Sequence, residues 1–259
     1  ASADSSTLIA YNADSGNLYG QLYHYEARKN IPKGTKRQIF EWDTGKYLGE
    51  IDEAEETYNV VGNQNEYGLS IGETTFGGNA KLQSQEGAIM DYGNLIWVTL
   101  QRSKTAREAI QTMDALCQKY GYYSEGEGFS IADGEEAWHM ELIGKGNGQK
   151  GSVWVAKKLP AGAIAAHANQ ARITTFDQND SEATLYAKDV ISFAREQGLY
   201  EGDDKDFSFS DAYDPVTFSG ARFCEARVWE MFSKFLPADS GFQAQYEDYA
   251  MGSNLTNRM

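Results

Sequence analysis

The stretch Phe129-Ser130-Ile131-Ala132-Asp133-Gly134-Glu135-Glu136-Ala137-Trp138-His139-Met140-Glu141-Leu142-Ile143 holds two strand-like runs, 129–132 and 136–143. They are joined through Asp133-Gly134, the strongest hairpin signal in the chain, because a tight hairpin turn needs backbone conformations that Asp and Gly tolerate. Just upstream, Ala106, Ala109, Ile110, Met113, Leu116, Cys117 and Tyr120 recur at three- and four-residue intervals, which predicts a helix over 105–120. Thr105 and Glu108 supply a capping box for it and Gly121 the stop. Downstream, 153–157 and 164–167 read as strands, the first entered from the glycine-rich loop 144–151. That loop carries Gly144, Gly146 and Gly148, but the spacing fails GxGxxG and no helix is expected after it, which argues against a nucleotide cradle.

Toward the start, 7–11 and 18–25 read as strands around the polar cluster Asn12, Asp14, Ser15 and Gly16. A second hairpin is expected from 57–62 and 68–75 across Asn63-Gln64-Asn65-Glu66-Tyr67. Two further helices are expected. One covers 181–197, with Tyr186, Val190, Phe193 and Ala194 on one face and Gly198 as terminator; the other covers 222–235. Strands, a helix, more strands and then helices, without regular βαβ alternation, predict an α+β fold of packed, mostly antiparallel layers covered by helices rather than a parallel Rossmann sheet. The 259 residues are read as one domain, 1–259, incomplete at both ends.

A formal net charge of −15 argues against a nucleic-acid footprint, which needs clustered Lys and Arg. The acidic runs read as solvated surface, and no stretch approaches the roughly 20 apolar residues that cross a bilayer. Cys117 and Cys224 are too few for a disulfide scaffold and too far apart for a metal-ligand motif. Cys117 falls on the apolar stripe of the first helix and reads as a core residue. The chain begins with Ala1 rather than Met, which leads us to expect an upstream segment and slightly favours an exported or periplasmic protein over a cytoplasmic one. Asn179-Asp180-Ser181 and Asn254-Leu255-Thr256 are glycosylation sequons, meaningful only in a eukaryotic secretory pathway.

Several segments, read in order, resemble the C69 family of dipeptidases. They are Tyr11-Asn12-Ala13-Asp14-Ser15, Thr57-Tyr58-Asn59-Val60, Asn65-Glu66-Tyr67-Gly68-Leu69 and Ile71-Gly72-Glu73-Thr74-Thr75. They continue through Leu100-Gln101-Arg102-Ser103-Lys104-Thr105, Ile131-Ala132-Asp133 and His167-Ala168-Asn169-Gln170-Ala171-Arg172-Ile173. The resemblance spans essentially the whole chain. It implies an N-terminal-nucleophile hydrolase with a four-layer αββα sandwich, hydrolysing short peptides through a cysteine at the start of the mature chain. The free α-amine of that cysteine would act as base, so no histidine is required and no cofactor or metal. The expected partner is a small peptide, with neither nucleic acid nor membrane, and a homo-oligomer is left open. The nucleophile is expected upstream of Ala1 by about one strand, so the polypeptide taken alone should be inert. An inactive relative that binds peptides or a protein partner is the alternative.

The same resemblance implies the site residues. Asp14 matches an aspartate that bonds the nucleophile's α-amine; its other reading is a turn residue before Gly16. Asn169 matches an oxyanion or substrate-orienting donor. Arg222, in Ser219-Gly220-Ala221-Arg222-Phe223, matches a site arginine that would favour the thiolate, or else makes a helix-start salt bridge. Thr75 aligns with a further donor position, and Tyr11 stands where many relatives carry arginine, which bears on substrate charge preference. Cys224 lies inside a helix and has no free amine, a poor nucleophile. His24, His139 and His167 suggest no triad. A glycosidase-type carboxylate pair, Glu66 and Glu73, is a third reading, with no spacing to support it.

Overall fold

A computed structural model describes residues 6–12 and 22–235 of the chain. Its frame is an eight-stranded antiparallel sheet in which β1 (His24–Tyr25), β4 (Val60–Val61), β5 (Gln64–Asn65), β6 (Ser70–Gly77), β7 (Gly126–Ala132), β8 (Ala137–Gly144), β9 (Ser152–Lys158) and β10 (Thr184–Tyr186) are neighbours in that order. β2 (Lys36–Phe40) and β3 (Tyr47–Asp52) form a separate two-stranded ribbon. The fold is therefore α+β with a large antiparallel sheet, as expected.

The opening hairpin is β7 and β8, paired from Glu127 with Leu142 to Ala132 with Ala137. Asp133 ties its turn to a helix. Its Oδ1 accepts the N–H groups of Glu135 and Glu136, each at 2.8 Å, and its Oδ2 accepts the N–H of Ala106 at 2.8 Å. Ala106 opens α2 (Ala106–Tyr120), the predicted helix. The Thr105 hydroxyl accepts the Glu108 N–H at 3.2 Å, while the Glu108 carboxylate reaches back one residue further than a capping box does, to the Lys104 N–H at 2.8 Å. Gly121 closes α2 at φ +78, where a Cβ would lie 2.6 Å from the Gln85 side chain. The apolar stripe of α2 is buried from Ala106 to Cys117 with Tyr120 half-buried at its end, and α2 packs across β7, β8 and β9, with the Trp154 indole of β9 donating to Asp114 at 2.8 Å.

Other expectations are corrected. The helix α1 (Tyr92–Leu100) was not anticipated: Leu95 to Leu100 are all buried, and a helix apolar all round shows no amphipathic period. The 181–197 helix is in fact β10 followed by α3 (Val190–Glu196), because Thr184–Tyr186 pairs with β9. Val190, Phe193 and Ala194 still face the core, as read. Residues 164–167 form no strand; an isolated bridge from Ala168 to Gln170 follows them. Residues 7–11 are not in a regular strand, and within the described part of 18–25, residues 22–25, only β1 is. The 57–62 and 68–75 hairpin is a three-strand path, because the connector itself contributes β5. A short α4 (Phe209–Tyr213) precedes a π-helical turn, Gly220–Glu225, that runs directly into α5 (Ala226–Phe235), in place of one helix from 222.

Candidate active site

Strand β6 positions the first part of the site. Its side chains alternate, so Glu73 and Thr75 share a face with Glu127 of β7 through the pairs Glu73 with Phe129 and Thr75 with Glu127. The Thr75 hydroxyl donates to Glu127 Oε1 at 2.8 Å. Glu127 is buried, and burial together with the neighbouring Glu73 carboxylate pushes its carboxyl well above the usual range, while the Thr75 bond pulls the other way. On the flank of β6, Ile9 and Tyr11 lie against Gly72, where a Cβ would meet Tyr11 Cβ at 3.2 Å, so the glycine lets the segment approach closely. The Tyr11 hydroxyl donates to Glu73 Oε1 at 2.5 Å, and Thr7 donates to the Asp133 carbonyl.

Asn169 comes to the end of β6 from the loop after residue 167. Its Nδ2 donates to the Thr75 carbonyl at 2.6 Å, and its Oδ1 accepts from Arg227 Nη2 at 2.6 Å. These two bonds fix which end of the amide is the donor. The second N–H of Nδ2 has no partner among the described residues, and Asn169 is exposed, so a donor is held in place and open to a substrate oxygen.

The sequence-derived candidates divide accordingly. Thr75 and Asn169 are brought together, and Tyr11 lies on the same strand's flank. Arg222 is not brought to them: it is exposed, with its guanidinium 5.3 Å from the Phe223 ring centroid. Arg227, which sequence reasoning missed, is the cation at Asn169, and its Nε also donates to the Phe223 carbonyl at 2.7 Å. The π-helical turn changes the rotation of residues around the axis, and no residue spacing announces it. Asp14 lies outside the described residues. Glu66 and Glu73 serve different partners, since Glu66 Oε1 accepts the Asn59 N–H at 2.9 Å within the loop. Cys117 is fully buried with its thiol pushed up to about 12 by burial; Cys224 is partly buried on the π-helical turn. Among the described residues no group of three or more His, Cys, Asp or Glu is placed to hold a metal ion, and no helix is long and apolar enough to cross a membrane.

Comparison with known proteins gives this arrangement a family. The chain is 29% identical over 267 residues to a probable dipeptidase of Salmonella dublin, covering 92% of this chain and 56% of that protein. It is 26% identical to dipeptidase A of Lactobacillus helveticus over 64% of this chain and 33% of that protein. It is 28% identical to a dipeptidase of Bifidobacterium longum over 60% of this chain and 29% of that protein. The chain thus spans about half the length, or less, of the curated relatives it matches. The profile of peptidase family C69 matches residues 1–249, and the chain belongs to that family.

Proposed function

We propose that this chain is part of a cysteine-type dipeptidase of the N-terminal-nucleophile class, and that Asn169 supplies its oxyanion or substrate-orienting donor. The observation that carries the reading is the Asn169 amide, fixed between the Thr75 carbonyl and Arg227 with one N–H left open. A neutral donor held from both sides meets developing negative charge without having to reorganise. Neither thiol of the chain suits the nucleophile's part: Cys117 is sealed in the core, and Cys224 is inside a helix without a free amine. As the family resemblance implies, the nucleophile in this reading is a cysteine at the start of the mature chain, with its α-amine as base and Asp14 bonding that amine. In this reading a second sheet completes the four-layer αββα sandwich, the substrate is a small peptide, and Tyr11, bonded to Glu73, sits where relatives place arginine and shifts charge preference.

The full-length gene product tests this. It should hydrolyse dipeptides, begin after processing with Cys, and lose activity to iodoacetamide. Asn169→Ala should lower kcat by about 10²-fold, the usual loss for one oxyanion donor. Turnover that survives complete alkylation, or an active mature form with another first residue, refutes the proposal. A non-catalytic peptide-binding relative is the second reading, favoured by Tyr11 in the arginine position; it requires tight dipeptide binding with no turnover by the same product.

A further inference from the structure

On the sheet face that carries Gly72, one register level crosses four strands: Gly72 pairs with Ser130, Ser130 with His139, and His139 with Lys157. Over this row lies His167, two residues before Asn169. Ser130 Oγ and His167 Nε2 are hydrogen-bonded at 2.7 Å, and the His167 ring lies against His139, tilted by 39° with centroids 4.4 Å apart. His139 Nε2 lies 3.0 Å from Glu141 Oε1; the carboxylate can only accept, so His139 carries its proton on Nε2. Glu141 also accepts the backbone N–H of Arg172 on Oε1 and that of Ile173 on Oε2, the latter at 3.0 Å. The loop bearing Asn169 is thus held on its entering side by His167 and on its leaving side by Glu141. Gln170 Nε2 and the Ala171 N–H add bonds to Asp214.

We propose that Ser130, His167 and His139 form a clasp that positions Asn169, and that protonation of His167 opens it. This rests on the dipeptidase reading above, and His167 is a positioning residue, touching no substrate. The geometry supplies the mechanism. Nδ1 of His167 and Nδ1 of His139 are both shut off from solvent and have no hydrogen-bond partner among the described residues. A proton on His167 Nδ1 would therefore be a buried donor without an acceptor. The charges around it deepen the cost. Arg172, paired with Glu225 at 2.5 Å, faces His167, Lys157 stands across the strand pair from His139, and the one nearby carboxylate on β8, Glu141, is already engaged by three donors. Burial first, then His139 and Arg172, hold the His167 imidazole well below its ordinary value. The sign follows. An imidazole freed from the clasp protonates near pH 6.5, so the clasp is at full strength above that pH. As the pH falls from about 6.5 toward the clasped value, the open-to-closed ratio rises by up to about tenfold per unit.

The test uses the full-length gene product and its His167→Gln and His167→Ala variants, with dipeptide turnover measured from pH 5 to 8. The glutamine amide can still bond Ser130 but does not titrate. The expected result is an acid limb in the parent that flattens in His167→Gln, with turnover at pH 8 a few-fold lower. His167→Ala should lower kcat by about 10- to 100-fold with little change in KM, as a misplaced donor does. In parallel, imidazole NMR of the parent follows His24, His139 and His167, each assigned by the signal lost on its substitution, without any activity. One of the two contacting rings should stay neutral well below pH 6.5. Superimposable profiles of parent and His167→Gln, or ordinary titration of both His139 and His167, overturn the clasp. Absence of turnover in the parent overturns the dipeptidase reading instead, while the NMR titration still decides whether the clasp resists protonation.

Discussion

Removing the Asp133 carboxylate should separate the β7–β8 turn from the start of α2, and the size of the effect can be worked out bond by bond. Asp133→Ala leaves three N–H groups without their acceptor. The Ala106 amide belongs to a fully buried residue, so its orphaned donor costs about 1–3 kcal/mol. The Glu135 and Glu136 amides lie in an exposed to half-buried turn where water can replace the side chain, at about 0.5–1 kcal/mol each. The expected loss is about 2–5 kcal/mol of unfolding free energy. Asp133→Asn should lose only about 1–2 kcal/mol, because its amide oxygen can keep both turn N–H groups on the Oδ1 side while its NH2 faces the Ala106 donor. Urea unfolding followed by tryptophan fluorescence suits the measurement, since Trp138 is buried two strand positions from the turn, and the slope with urea should be unchanged. An alanine variant that loses less than about 1 kcal/mol, or an asparagine variant as damaged as the alanine one, would refute the idea that one carboxylate holds both elements.

Two further outcomes are expected. A thiol reagent should modify Cys224 and leave Cys117 untouched in the native protein, with both reacting in guanidinium; rapid native reaction of both would contradict the sealed, high-pKa environment of Cys117. Gly126→Ala should destabilise by about 1–3 kcal/mol, read as a shift in thermal midpoint, because the added Cβ would sit 2.1 Å from the buried Phe76 ring; an unchanged midpoint would mean that the ring has room to move.

What could be read in advance followed the range of the interactions involved. The helix α2 and the β7–β8 hairpin were legible because their signals, the apolar stripe, Thr105 and Asp133-Gly134, are local in sequence. The resemblance at Asn65-Glu66-Tyr67-Gly68-Leu69 has a local cause as well. The buried Asn65 amide donates to the carbonyls of Leu100 at 2.8 Å and Ser103 at 2.7 Å and accepts from the Tyr67 and Leu69 N–H groups, so it closes its own loop and ties it to the junction of α1 and α2. Residues 184–186 were misread as helix because their partner strand is some 30 residues upstream, and β pairing at that distance leaves no mark in local periodicity. The helix α1 was invisible for the opposite reason, having no polar face to set a period. In the site, Asn169 and Thr75 came through the resemblance, whereas Arg227 depends on a π-helical turn whose rotation no spacing rule anticipates.

The Asn169 amide joins residues 75, 169 and 227, three points spread along the chain, in two hydrogen bonds. During synthesis the first two are available long before the third, so a nascent chain stopped short of α5 can hold Asn169 only at its donor end. The arrangement cannot be completed until residue 227 has left the ribosome. The amide is therefore set by the last of its three segments to emerge, so its geometry reports that the chain has been made and folded through α5 and not merely through the sheet.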